Sequence, residues 1–197
     1  MGGVRLHLAD DIARVSRAAE AELGAADADL PYWAFAWAGG LAVARYVLDH
    51  PAEVAGRHVV DVASGSGLCA IAALRAGAAA VRAIDVDPLA AAAVAVNARA
   101  NGIRVGFGRD DPLDDPPPPC DVLLAGDVCY QETMARRMLD WLGSAARRGT
   151  RVLIGDPGRT YLPPGLEKVA AYQVRTSLEL ERSAVTESAV YTFAPQA

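Results

Sequence analysis

The chain has 197 residues, 52% of them apolar and 22% charged, with a net charge of −5 at pH 7. Those proportions exclude a disordered chain, and scattered arginines on an acidic background argue against nucleic acid as the main partner. The longest apolar run near the middle, Leu89 to Val96, is eight residues, far short of a membrane span.

The opening "MGGVRLHLADD" lacks the apolar stretch of a signal peptide, and Leu6 stands where a myristoylation motif needs Ser or Thr. The expectation is therefore a cytoplasmic protein. Three cysteines (Cys69, Cys120, Cys129) and three histidines (His7, His50, His58) show no metal spacing, so no metal centre is expected. From Asp10 to Leu23, apolar residues at Ile12, Val15, Ala19 and Leu23 make a helical stripe, which "GAADADLP" over 24–31 ends. A second helix is expected from near Gly40 to just before Pro51.

The period then changes. Short β-type runs at 58–62, 81–85, 103–108, 121–126 and 151–156 alternate with helical stretches at 67–76, 88–101 and 131–146. That alternation predicts βαβ units, a parallel sheet and right-handed crossovers. The runs "AYQVRTSLELE" and "SAVYTFAP" are separated only by "RSAVTE", too few residues for a helical crossover. They predict an antiparallel hairpin at one sheet edge. The expected fold is α/β, a Rossmann-like seven-stranded sheet with five parallel strands, a C-terminal antiparallel hairpin and helices on both faces. "DDPLDDPPPPC" (110–120) reads as a stiff surface loop, and Trp141 as a core residue of an amphipathic helix.

"VVDVASGSGLCA" (59–70) marks a ligand turn. Gly65 and Gly67 allow positive φ and close backbone approach, and the following helix presents unpaired N–H groups. The pattern fits both a dinucleotide and an S-adenosylmethionine (SAM) site. Asp61 ahead of the glycines would repel a pyrophosphate but suits the cationic groups of SAM. In "AIDVDP", Asp85 follows the next strand, where it can accept from ribose hydroxyls, while Asp87 suits the N-cap of the next helix. Asp110 or Asp111, after the third strand, can accept the adenine amino group, with Asp111 preferred. A closing hairpin also fits a methyltransferase better than an NAD(P)-dependent oxidoreductase.

"DVASGSG", "AIDVDP" and the hairpin resemble a class I SAM-dependent methyltransferase. "PYWAFAWAGGLAVARYVL", "LLAGDVCYQE" and "TRVLIGDPGRTYL" resemble, more narrowly, the electron transfer flavoprotein β-subunit lysine methyltransferase family. The resemblance runs from about residue 30 to 195, with Ala63 in place of the usual first glycine of the turn. It implies one domain, with 1–30 as a helical extension and 31–197 as the catalytic core. It also implies a protein substrate, the flavoprotein β subunit in its most specific form. A small-molecule amine or another protein residue as acceptor, and a non-catalytic binding protein, are the alternative readings.

For the cofactor, the expected contacts are Trp37, Asp61, Ala63, Ser64, Gly65, Gly67, Asp85, Val86, Asp110, Asp111 and Asp127. By resemblance, Asp127 and Tyr130 carry the D-x-x-Y motif, Asp127 orienting the amine and Tyr130 lining its channel. Their bland readings are a helix cap and a core aromatic. Trp37 is expected to close over the adenosine with Trp33 and Phe35 beside it. Trp33, Asp156 and Arg159 are placed on the substrate side, the last two alternatively as a structural loop pair.

Overall fold

The computed structural model describes residues 3–24, 30–109, 111–176 and 183–194. The strands are β1 (His58–Val62), β2 (Ala80–Ile84), β3 (Gly106–Gly108), β4 (Val122–Gly126), β5 (Arg151–Asp156), β6 (Glu167–Arg175) and β7 (Val185–Thr192). The helices are α1 (Ile12–Leu23), α2 (Ala38–Asp49), α3 (Leu68–Arg75), α4 (Ala90–Ala100) and α5 (Glu132–Arg147). One sheet runs β3-β2-β1-β4-β5-β7-β6. Its first five strands are parallel, and β7 lies antiparallel between β5 and β6. Chain order reverses between β1 and β4, the switch point at which open α/β sheets bind ligands.

Burial on both faces explains the near-continuous apolar strands. Val59, Leu124 and Leu153 pack with α2 and α3 on one face. Their neighbours Val60, Leu123 and Val152 pack with Met138, Trp141 and Leu142 of α5 on the other. Trp141 is core as expected, and its indole N–H donates to the Asp115 carbonyl at 2.9 Å.

Three boundaries differ from the sequence reading. The strand expected over 103–108 shrinks to Gly106–Gly108, because the Ile103 N–H closes α4 by donating to the Ala98 carbonyl at 3.1 Å. α2 begins at Ala38, two residues early. The hairpin strands begin earlier than expected, at Glu167 and Val185, so part of "RSAVTE" is strand. Polar residues there pair across the edge, as with Gln173 and Glu187 (Nε2 to Oε2 3.2 Å), and a solvated edge leaves no apolar signal. The stretch 177–182 lies outside the described residues.

Candidate active site

The end of β1 turns sharply into α3. Ala63, Gly65 and Gly67 have φ of 52°, 49° and 77°. Alanine in place of the usual glycine at 63 carries a conformational cost, since a Cβ disfavours the left-handed region. Ala63→Gly is therefore expected to stabilise the protein by about 1 kcal/mol. A melting curve raised by roughly 2–4 °C checks this, and an unchanged or lowered midpoint refutes it.

Asp61, 1% exposed, accepts the Ala70 N–H of α3's first turn at 2.9 Å. Burial pushes its carboxyl well above the ordinary range, and the nearby Asp85 charge adds to this. Asp85 accepts from the N–H of Gly65 (2.8 Å) and of Asp87 (2.9 Å), tying the first turn to the second. It too is raised, chiefly by burial. Val86 beside it is exposed. The N-cap of α4 is Leu89, not Asp87. Asp87 instead accepts the Leu89 N–H at 2.8 Å, an Asx turn leading into the helix.

Asp111 caps the short 3-10 turn Pro112–Asp114 through the Leu113 N–H and lies 3.8 Å from Arg137. Asp110 is outside the described residues. Gly67, expected at the cofactor, is not in the cavity wall. A Cβ there would sit 3.0 Å from Val94 Cγ2, so its bareness lets α4 pack on α3.

A strap crosses over the Gly65 turn. A Cβ on Gly65 would meet the Trp33 Cα at 3.6 Å. Within the strap, Trp37 donates its indole N–H to the Tyr32 carbonyl at 3.0 Å, and its ring meets Tyr32 at 5.6 Å and Phe35 at 6.2 Å. Tyr32 then bridges to Tyr130 on the far wall, with ring centroids 5.2 Å apart. Tyr130 is 46% exposed, which excludes the core-aromatic reading.

The sequence segments W-A-G-G, G-D-x-x-Y and G-D-P-G-R converge on one point. The first turn of α2 lies directly on the ends of β4 and β5, glycine against glycine. A Cβ on Gly126 would stand 2.7 Å from the Gly40 Cα, and one on Gly155 2.6 Å from the Gly39 carbonyl carbon. At that junction sits Asp127, itself at φ 60°. It does not cap α5, whose N-cap is Gln131. Its Oδ2 accepts the Gly40 N–H at 2.6 Å, supplying α2 with the cap that Trp37 cannot. Its Oδ1 accepts from the Arg159 guanidinium at 2.5 Å. Burial raises its carboxyl, and Arg159 opposes that.

Two substrate-side expectations change here. Asp156 is fully buried and outside the cavity wall. Its Oδ1 accepts from the N–H of Gly158 (2.7 Å) and Arg159 (2.6 Å), shaping the loop. Arg159 does line the cavity, but its guanidinium is held by Asp127 and lies 3.5 Å from Asp156.

These parts enclose a cavity of about 810 Å³ at the carboxyl ends of the strands. Trp33, Trp37, Asp61, Ala63, Ser64, Gly65, Asp85, Val86, Asp111, Asp127, Tyr130 and Arg159 all line it. So do Tyr32, Met134 and Met138, which sequence reasoning missed. The two methionines stand one turn apart on α5, a spacing that marks one helix face. Ser64 is 8% exposed, yet its Oγ has no protein partner, and neither does the indole N–H of Trp33. Buried polar atoms left unmatched inside a cavity wall point to a polar ligand. SAM fits that wall: Asp61, Asp85 and Asp111 offer acceptors for its ammonium, ribose and adenine amino groups, and Ser64 offers a hydroxyl.

Residues 46–125 match the family model of ribosomal protein L11 methyltransferase (PrmA). Over 172 residues the chain is 37% identical to the electron transfer flavoprotein β-subunit lysine methyltransferase of Xenopus laevis, covering 84% of this chain and 70% of that protein. The Danio rerio enzyme of the same name is 38% identical over 170 residues, covering 83% and 66%. The chain thus spans about two thirds of the length of these relatives. Among solved structures, a putative RNA methyltransferase from Pyrococcus horikoshii superposes with TM-score 0.64 at 13% identity, covering 87% and 92%. A ribosomal protein L11 methylase from Lactobacillus delbrueckii subsp. bulgaricus gives 0.51 at 20%, covering 77% of each. Both show the fold.

Proposed function

The chain belongs to the electron transfer flavoprotein β-subunit lysine methyltransferase family, and on that premise we propose that it is a SAM-dependent protein-lysine N-methyltransferase acting on the β subunit of electron transfer flavoprotein. The observation that carries the reading is Asp127, a carboxylate only 12% exposed in the cavity wall where α2, β4 and β5 meet.

When bound, SAM would supply a methyl group on a cationic sulfur, to be taken in line by a neutral amine as the C–S bond breaks and the thioether S-adenosylhomocysteine leaves. The chain's own task is to bind, orient and exclude water. Asp61 would hold the ammonium of the methionine part, Asp85 the ribose and Asp111 the adenine. Trp37, fixed by Tyr32, would cover the adenosine. Asp127 keeps lone pairs beyond those it gives Gly40 and Arg159, and would accept an N–H of the entering lysine. Tyr130 would line the path of its alkyl stem. A lysine amine ordinarily holds its proton to about pH 10.4, and a desolvated site beside a cation favours the neutral, nucleophilic form.

The raised carboxyls of Asp61, Asp85 and Asp127 give a pH signature. Between the ordinary carboxylate range near ~3.9 and their raised values, the native state binds more protons than the unfolded state. Stability without ligand therefore falls as pH rises through that window. A bound cation favours the ionised forms and offsets the fall. The rise in melting temperature with SAM is expected to grow with pH across the window; a rise that stays constant refutes the charge pairing.

Incubating the purified protein with labelled SAM and recombinant flavoprotein β subunit tests the function. The expected result is label on lysine, located by peptide mass spectrometry. Label on a small amine, with none on protein in a lysate, overturns it.

A further inference from the structure

Arg159 stands in a cavity that, on the reading above, receives a cationic amine, where an unpaired guanidinium would repel the substrate. Its geometry resolves the conflict. The guanidinium lies between two carboxylates, 2.5 Å from Asp127 Oδ1 and 3.5 Å from Asp156 Oδ2. The three side chains are 20%, 12% and 0% exposed, so the guanidinium is sequestered between two acidic partners. We propose that Arg159 is a positioning residue that acts through Asp127, holding its carboxylate charged and aimed at the amine, and does not itself bind substrate. The proposal rests on the lysine methyltransferase reading.

The groups facing Asp127 make Arg159 decisive. α2 contributes the Gly40 N–H at 2.6 Å, a neutral donor at a helix N-terminus. α3 contributes the Cys69 thiol, which donates to the Gly40 carbonyl at 3.4 Å and is kept protonated by burial and by the Asp61 and Asp127 charges. On Asp127's own loop, burial and neighbouring charge push the Cys129 thiol up to about 12. Asp61 and Asp156 are both acidic. Among these groups Arg159 alone is cationic, and it is the largest influence opposing burial, ahead of the Gly39 and Gly40 amides.

The backbone points the same way. Asp127 has φ 60° and its N–H is tied to the Gly155 carbonyl at 2.9 Å, so main chain and side chain are fixed separately. The α2 amide holds one carboxylate oxygen and Arg159 the other. Losing Arg159 frees rotation about the carboxyl and removes its counter-charge in one step.

The test combines titration with kinetics in Arg159→Gln, Arg159→Lys and Asp156→Asn. Carboxyl-carbon NMR, with the Asp127 signal assigned by Asp127→Asn, reads the proton affinity of Asp127 without turnover. Arg159→Gln is expected to raise that affinity at least about tenfold, one pKa unit. It should also move the acid limb of the pH–kcat profile upward and lower kcat by about 100-fold, while SAM affinity holds. Arg159→Lys should restore part of both and keeps the test open if the glutamine variant fails to fold. Asp156→Asn keeps its Oδ1 on the Gly158 and Arg159 amides and removes a negative charge beside Arg159, so the proton affinity of Asp127 should stay at or below that of the wild type. An unchanged Asp127 titration in Arg159→Gln, or the same shift in Asp156→Asn, overturns the proposal. A wild-type protein that methylates no lysine ends the functional reading instead, and the titration still judges the Arg159–Asp127 coupling.

Discussion

Gly39→Ala is expected to yield little folded protein, whereas Gly40→Ala, one residue on, should fold at least as stably as the wild type. A Cβ on Gly39 would overlap the Gly155 carbonyl, with the carbonyl carbon at 2.6 Å and Asp127 Oδ2 at 2.7 Å. Those neighbours are backbone and a carboxylate bound on both oxygens, so neither yields without pulling α2 off β5. The cost should exceed about 4 kcal/mol, the range of severe core disruption. On Gly40 the same atom meets only Asp127 Oδ2 at 3.8 Å and Cys69 Sγ at 3.9 Å, ordinary contacts. Helix propensity then favours alanine by up to about 1 kcal/mol. Urea titrations of the two variants decide the matter, and equal losses would refute glycine-to-glycine docking.

For Asp61→Asn, ligand affinity and stability should move in opposite directions. An asparagine side-chain oxygen can still accept the Ala70 N–H, so the exchange removes charge and little else. SAM affinity is expected to fall by roughly 30- to 150-fold, the equivalent of about 2–3 kcal/mol for one charge-assisted contact. The ligand-free protein should melt higher at neutral pH, because burial penalises the ionised carboxylate and a neutral amide escapes that penalty. Calorimetric titration and melting curves measure the two effects. Unchanged affinity removes Asp61 from the cofactor site. A site kept at the expense of stability is the usual cost of function.

Much of this architecture is written in local periodicity. A strand buried on both faces must be apolar throughout, and a helix that packs on one side must alternate near 3.6, so "HVVDV" and "RVLIGD" were legible. Edges were less so. Residues 103–105 have strand composition, but Ile103 completes the end of α4. In β7, Thr186 and Glu187 pair with β6 but run past the end of β5, outside the core, so part of the strand reads as loop.

The site divides along a similar line. The acidic positions and the glycine turn could be read from sequence because each lies at or just beyond the carboxyl end of a strand, and parallel strands bring those ends together. Which protein groups those side chains pair with could not. Arg159 and Asp127 are 32 residues apart, and their pairing depends on β4 and β5 being neighbours in register. The left-handed backbone at Ala63 likewise has no trace in composition.

The sequence by itself therefore determined the layered fold, the end of the sheet that carries the cavity and the acidic character of its wall. These follow from short-range periodicity and from the rule that parallel strands share one carboxyl edge. Only the tertiary structure decided that Gly39, Gly126 and Gly155 form one junction, that Asp127 caps α2 and not α5, and that Arg159 is held by carboxylates. Each of those depends on close approach between segments distant in sequence, where a single Cβ or one unpaired charge outweighs any local preference.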